Sequence, residues 1–125
     1  GSAYRPGGPG HPFKPEAQPR PGERIIAKQV HSAFVGTPLH EALTAAGIGD
    51  LVVCGVTTNN SVEATVRHAA DLGYRVALVE DASFTFGKRD HAGRLRTAEE
   101  VHAMSLANLR GEYAQVIRTI DALGG

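Results

Sequence analysis

Two continuous apolar runs in the second half of the chain are separated by an amphipathic stretch. The runs Leu51–Cys54 and Arg75–Val79 predict strands that are buried on both faces, as in a parallel sheet. Between them, apolar side chains recur at helical spacing from Val62 to Leu72, and Gly73 ends that helix. Strands that alternate with helices predict an α/β fold with a mainly parallel sheet.

Local signals predict the other elements. They predict a short strand at Glu23–Gln29 and a helix that begins at Thr37-Pro38 and ends at Gly47. A long polar loop is predicted at Asp81–Arg96. A capping box at Thr97 and Glu100 begins a helix that ends at Leu109, and a last strand is predicted at Tyr113–Thr119.

The first 22 residues differ in composition from the rest. Residues 1–23 contain six of the seven prolines and five of the fifteen glycines, which excludes a helix or a central strand. We therefore predict an irregular loop at 1–22 and a single domain at 23–125. Two interpretations of the loop stay open: a disordered arm, or an ordered segment that lies over a site through Tyr4, His11 and Phe13.

Composition excludes several classes of function. Lys and Arg together number 13, as do Asp and Glu, so no net charge favours nucleic acid or a membrane surface. No apolar run approaches the roughly 18 residues of a membrane span, and no signal-peptide pattern opens the chain. The single cysteine, Cys54, excludes an internal disulfide and is typical of a reducing compartment. We expect a cytoplasmic protein.

Three features are found at the carboxyl ends of predicted strands, where sites of open parallel sheets lie: Lys28, the Gly55–Ser61 turn, and Asp81. Lys28 either holds an acid or a nucleophile in its charged form or is a solvated residue at the sheet edge. Ser61 is either a helix N-cap or a nucleophile. The nucleophile needs a base, and the spacing places no histidine beside it, since His68 lies two turns along the same helix.

Metal and cofactor chemistry has no support in the pattern of residues. His31, His91 and His102 lack the spacing of metal ligands, and Cys54 within its apolar strand is expected to be a small core residue. We expect no metal and no cofactor.

Three segments resemble the isochorismatase-like hydrolases, which include nicotinamidases, N-carbamoyl amidohydrolases and isochorismatases. They are KQVHSAFVGTPLHEAL, GVTTNNSVEATVRHAADLGYRVALVEDA and AEEVHAMSLANLRGEYAQVI. The resemblance extends from about Tyr4 to Ala122. It implies a Rossmann-like three-layer α/β sandwich.

The resemblance also implies a site. The family's triad is an aspartate, a lysine and a cysteine; Lys28 matches the lysine, and Ser61 stands at the cysteine position. The backbone N–H groups of Thr57 and Ser61 match the oxyanion hole, which follows a cis peptide bond at Val56–Thr57. His31 and Phe34 match the wall of the substrate pocket.

Two departures from the family pattern affect this interpretation. A serine hydroxyl is a weaker nucleophile than a thiol, and the aspartate has no counterpart before Lys28. The family sheet has the order 3-2-1-4-5-6, and its first two strands have no match here. Without them, the predicted strands at Glu23–Gln29 and Leu51–Cys54 would lie about three strand spacings, or roughly 14 Å, apart. We therefore expect that the missing part lies in another chain or in a longer parent chain, or that the protein has rearranged by strand exchange.

The sequence therefore predicts a hydrolase of a small amide, ureide or vinyl ether. The alternative is a degenerate member that binds a small molecule or a partner without turnover. The expected partners are a small-molecule substrate and either a second copy of the chain or a complementing N-terminal fragment.

Overall fold

The computed structural model describes residues 20–124, and their elements alternate between helix and strand. The helices are α1 (Leu39–Ala45), α2 (Glu63–Asp71), α3 (Ala98–Leu109) and α4 (Thr119–Gly124), and a single π-helical turn, Thr58–Val62, precedes α2. The strands are β1 (Asp50–Val56), β2 (Arg75–Phe84), β3 (Lys88–Arg89), β4 (Leu95–Arg96) and β5 (Gln115–Ile117).

The main sheet of the described residues contains β1, β2 and β5, in the order β1-β2-β5. Both pairings are parallel, and the register places Val53 opposite Leu78 and Val79 opposite Ile117. This confirms the predicted α/β fold with a mainly parallel sheet. The order also agrees with the last three strands of the sheet that the resemblance implies.

The core lies between one face of β2 and helix α2. Val76 and Leu78 of β2 point to the same face because they are two residues apart, and they belong to the same core cluster as Val66 and Ala69 of α2. Leu109 at the end of α3 joins this cluster. The helical spacing in the sequence predicted the buried face of α2 correctly except at its end, where Leu72 is 40% exposed.

The capping box of α3 is confirmed at the atomic level. The backbone N–H of Glu100 donates to Thr97 Oγ1 at 3.1 Å, and Glu100 Oε1 accepts from the Thr97 backbone N–H at 3.0 Å. Both backbone N–H groups would otherwise lack a hydrogen-bond acceptor at the beginning of the helix, which is why a Thr followed three residues later by a Glu marks a helix start.

The prediction that β1 is buried on both faces is wrong. Its residues alternate between half-buried and exposed: Leu51 and Val53 pack on the core, while Val52 and Val56 are 63% and 56% exposed. Cys54 shares the uncovered face and is exposed, so it is not a core residue. Nothing among residues 20–124 covers this face of β1.

The predicted strand at Glu23–Gln29 is absent from the described structure. These residues have no regular secondary structure, and β1 forms its ladder with β2 alone among the described strands. A strand requires a neighbouring strand for its N–H and C=O groups, and a local apolar pattern does not supply one.

Two further boundaries differ from the prediction. The segment Asp81–Arg96 is not a continuous loop, because β2 extends to Phe84 and β3 and β4 form an antiparallel hairpin. The last strand is shorter than predicted, and α4 begins where a strand was expected to end.

The predicted loop at 1–22 lies outside the described residues except for its last three. Between residues 20 and 124, no helix has the length and apolar character needed to cross a bilayer.

Candidate active site

The turn after β1 carries Ser61 inside a π-helical turn. The Val56–Thr57 peptide bond is cis, and the backbone N–H of Val62 donates to Thr57 O at 3.2 Å, five residues back. Because α2 begins only at Glu63, Ser61 is not the N-cap of that helix. The N-cap interpretation is therefore wrong, and the Ser61 hydroxyl is available for other contacts.

The side chain of Lys28 contacts that hydroxyl. Lys28 Nζ lies 3.3 Å from Ser61 Oγ, and it also donates to the carbonyl oxygens of Val30 and His31 at 3.0 and 3.2 Å. These three acceptors match the three N–H bonds of an ammonium group. Lys28 itself is exposed and follows no strand, so its position comes from these contacts and not from a sheet edge.

His31 is the second partner of Ser61. Its Nδ1 lies 3.2 Å from Ser61 Oγ. The sequence suggested His31 only as a residue of the pocket wall, and it placed no histidine beside the serine. The two residues are 30 positions apart, on segments whose packing local spacing does not reveal.

Three hydrogen bonds hold the segment around His31 against α2. Ser32 Oγ lies 2.7 Å from His68 Nδ1, and the Ala33 N–H donates to Thr65 Oγ1 at 3.0 Å. The Thr65 hydroxyl in turn lies 3.4 Å from the carbonyl oxygen of His31. Since Ser61 precedes this same helix, the contacts fix the two segments relative to each other. His68 thus positions the site, although it is too far along α2 to serve Ser61 directly.

A polar network connects the π-helical turn to α3. Thr58 is fully buried, and its Oγ1 lies 2.8 Å from His102 Nδ1 on α3. The other ring nitrogen of His102 donates to the carbonyl of Glu80 at 3.0 Å, which leaves Nδ1 as the acceptor for the Thr58 hydroxyl. The Ser105 hydroxyl lies 2.6 Å from Glu63 Oε1 and 3.2 Å from Thr58 O, so its single proton has two acceptors in reach. The sequence contains no signal for this network beyond the helical placement of His102 and Ser105 one turn apart.

The structure places Phe34 in the core and not in a pocket wall beside Ser61. It is 8% exposed, stacks on Tyr74 at a centroid distance of 5.8 Å, and packs at 5.3 Å from the ring of His68. Its role is therefore to anchor the segment after His31.

Asp81 does not join the site either. Its carboxylate accepts from the hydroxyl and the backbone N–H of Thr119 at 2.9 and 2.7 Å. These bonds hold the pKa of Asp81 below its ordinary value. Asp81 lies within β2, not after it as predicted, and it caps the beginning of α4.

Comparisons with known proteins identify the family of this chain. The model of the isochorismatase domain matches residues 1–121. The chain belongs to the isochorismatase family. A solved structure of an isochorismatase-family hydrolase from Chromobacterium violaceum is 62% identical, with a TM-score of 0.95, and the match covers 98% of this chain and 64% of that one.

Two relatives of the isochorismatase family are also similar in sequence. The uncharacterized isochorismatase family protein YrdC of Bacillus subtilis is 36% identical over 118 residues, which are 94% of this chain and 63% of the relative. The ureidoacrylate amidohydrolase RutB of Variovorax paradoxus is 39% identical over 72 residues, which are 58% of this chain and 29% of the relative. The chain thus spans less than two thirds of the length of each of these relatives.

In this isochorismatase-family chain, the described part of the site is open to solvent. Lys28 and His31 are exposed, and Ser61 is half-buried. A cleft of about 560 Å³ lies nearby, between the β3–β4 hairpin and α3, and its walls include Asn59 and Glu63. Lys28, His31 and Ser61 do not line it. Residues 20–124 contain no cluster of side chains suited to a metal ion.

Proposed function

We propose that the protein is a hydrolase that cleaves a small amide or ureide through Ser61. Ser61 Oγ attacks the carbonyl carbon, and the backbone N–H groups of Thr57 and Ser61 bind the oxyanion. The observation that carries the proposal is the contact between Lys28 Nζ and Ser61 Oγ at 3.3 Å. An ammonium group at this distance stabilises the negative charge that develops on the serine oxygen as it attacks.

The amide and ureide classes are favoured over the vinyl ether that the resemblance also implies. Cleavage of a vinyl ether begins with protonation of its carbon, for which a carboxylic acid is a stronger donor than an imidazolium or an ammonium group. The side-chain partners of Ser61 among the described residues are Lys28 and His31, and neither is a carboxylic acid. The similarity to an amidohydrolase that acts on a ureido compound supports the same choice.

The test measures ammonia released from a panel of small primary amides and N-carbamoyl compounds. Ser61→Ala should abolish any release that depends on the site. Ser61→Cys should raise it, because a thiol ionises closer to neutral pH and is intrinsically more nucleophilic. Equal rates for the serine, alanine and cysteine forms would reject the proposal.

The alternative is a degenerate family member that binds a small molecule without turnover. The serine in place of a thiol and the lack of a described carboxylate beside Lys28 favour it. In that case Ser61→Cys would leave ammonia release at background, and ligands of the panel would still raise the melting temperature.

The expected macromolecular partner also remains a proposal. A second copy of the chain or a complementing N-terminal fragment would cover the apolar face of β1, where Val52 and Val56 are exposed. The cytoplasmic location stays a prediction.

A further inference from the structure

We propose that two side chains of α3, His102 and Ser105, are positioning residues for the oxyanion hole. They act through Thr58, the first residue of the π-helical turn. This inference rests on the proposed function, in which the backbone N–H groups of Thr57 and Ser61 bind the oxyanion. It assigns a role to a polar network that the proposed reaction does not itself use.

The direction of those two N–H groups depends on the path of the chain between them. The Thr57 carbonyl oxygen accepts from the N–H groups of Asn60 and Val62, the two neighbours of Ser61, at 3.1 and 3.2 Å. Single π-helical turns of this kind are rare overall but frequently lie at functional sites. Because Thr58 lies between Thr57 and Ser61, its backbone angles decide how the two N–H groups are oriented relative to each other.

His102 fixes the side chain of Thr58. Thr58 is fully buried, and its Oγ1 lies 2.8 Å from His102 Nδ1. The opposite ring nitrogen of His102 lies 3.0 Å from the carbonyl oxygen of Glu80 in β2. A valine would fill nearly the same space without a buried polar atom, so packing alone does not account for a hydroxyl at this position. The imidazole thus connects the beginning of the turn to the sheet.

Ser105 lies one helical turn beyond His102 and reaches the backbone of the same residue. Its buried hydroxyl lies 3.2 Å from Thr58 O and 2.6 Å from Glu63 Oε1. Glu63 is the first residue of α2, and its other carboxylate oxygen is bound by Arg67 at 3.0 Å. Ser105 therefore lies between the first residue of the turn and the residue that follows the turn.

The partners of the nucleophile come from another part of the chain. Among the described residues, the Ser61 hydroxyl contacts Lys28 and His31, which lie on the segment before α1, whereas the Thr58 hydroxyl contacts α3. Substitutions in α3 therefore leave the groups around the nucleophilic oxygen in place. They change its reactivity only by moving the turn that carries it.

Reaction with an alkyl fluorophosphonate tests the positioning without knowledge of the substrate. The probe forms a Ser61 O–P bond and releases fluoride and the serine proton, and its transition state places negative charge on a phosphoryl oxygen that the oxyanion hole binds. Thr58→Val and Ser105→Ala should each slow labelling by about 10²-fold, the cost of a misplacement of about 1 Å. Thr58→Ser keeps the hydroxyl and should label close to the wild-type rate. Rates are measured by intact mass and peptide mapping on variants that circular dichroism shows to be folded.

A matched control separates positioning from loss of stability. Thr119→Val makes the same chemical change in a half-buried threonine whose partner is Asp81, and it should label at the wild-type rate even where its urea midpoint falls. His102→Leu should slow labelling in the wild-type background and have no further effect in Thr58→Val, because both changes remove one contact. If Thr58→Val does not fold, Ser105→Ala carries the same comparison.

The outcomes distinguish this inference from the proposed function. Slow labelling of Thr58→Val that Thr58→Ser restores supports the positioning role even if no amide of the panel is hydrolysed. Wild-type rates in Thr58→Val and Ser105→Ala overturn it, while ammonia release that depends on Ser61 would leave the proposed function standing. Equal losses in Thr58→Val and Thr119→Val overturn it too, because they would attribute the effect to stability. A wild-type protein that does not label at Ser61 overturns the inference as well.

Discussion

Lys28 and Ser61 are 33 residues apart in the chain, and their side chains meet at 3.3 Å. The lysine reaches the serine from a segment without secondary structure, and two backbone carbonyls direct its ammonium group. We expect this contact to stabilise the charge of the serine oxygen when it attacks. With the His31–Ser61 contact, it joins the segment around Lys28 to the turn after β1.

Lys28→Met should lower the reactivity of Ser61 towards a fluorophosphonate by about 10²–10³-fold, the usual cost of removing one charge-stabilising group. The matched control is Lys88→Met on the exposed strand β3, which should have no effect. A wild-type rate in Lys28→Met would mean that the ammonium group does not act on the serine.

Thr58→Val should lower the free energy of unfolding by about 1–3 kcal/mol, because it leaves His102 Nδ1 without its hydrogen-bond donor in a half-buried site. Urea titrations of Thr58→Val, His102→Leu and the double variant would measure the coupling between the two side chains. Strictly additive losses would show that the 2.8 Å contact contributes nothing of its own.

Leu78→Ala should cost about 2–5 kcal/mol, since Leu78 is fully buried at the centre of the core cluster. Leu95→Ala removes the same atoms from a side chain that is 65% exposed, and it should change the free energy of unfolding by less than about 0.5 kcal/mol. Similar urea midpoints for the two variants would contradict the described core.

Stability should fall in acid, and Asp90 should contribute to that fall. The backbone N–H of Arg94 at 2.9 Å, with the guanidinium of Arg96, holds the pKa of Asp90 below its ordinary value. The folded state therefore favours the charged carboxylate. Its contribution is complete above the pKa of the unfolded chain, about 4, and is lost as the pH falls through the lower folded pKa.

The corresponding measurement is the urea midpoint between pH 7 and pH 3. Asp90→Asn should be less stable than the wild type at pH 7 and should lose less stability below about pH 4. Equal slopes for the two proteins in acid would show that the hairpin does not favour the ionised form.

The Cys54 thiol should react with Ellman's reagent in the native protein and release one equivalent of thiolate, because Cys54 is the single cysteine and lies on the uncovered face of β1. The released thiolate is read by its absorbance, with and without urea. Protection that urea removes would show that a second copy of the chain or another partner covers this face in solution.

Local patterns in the sequence correctly predicted much of the fold. The spacing of Val62, Val66 and Ala69 identified the buried face of a helix, and Thr97 with Glu100 marked the beginning of α3. Such features depend on residues three or four positions apart, which are neighbours on one helix whatever surrounds it. Continuous apolar runs, which are also local features of the sequence, located β1 and β2.

Tertiary structure decided the features that depend on distant partners. The run Glu23–Gln29 has the composition of a strand but forms none, because a strand needs a ladder and no described strand is adjacent to it. Cysteine is usually a buried residue type, but Cys54 is exposed because the face of β1 on which it lies is not covered by the described residues. His31 meets Ser61 because the segment after Lys28 is bound to α2 through side chains, and hydrogen bonds across 30 residues leave no period in the sequence.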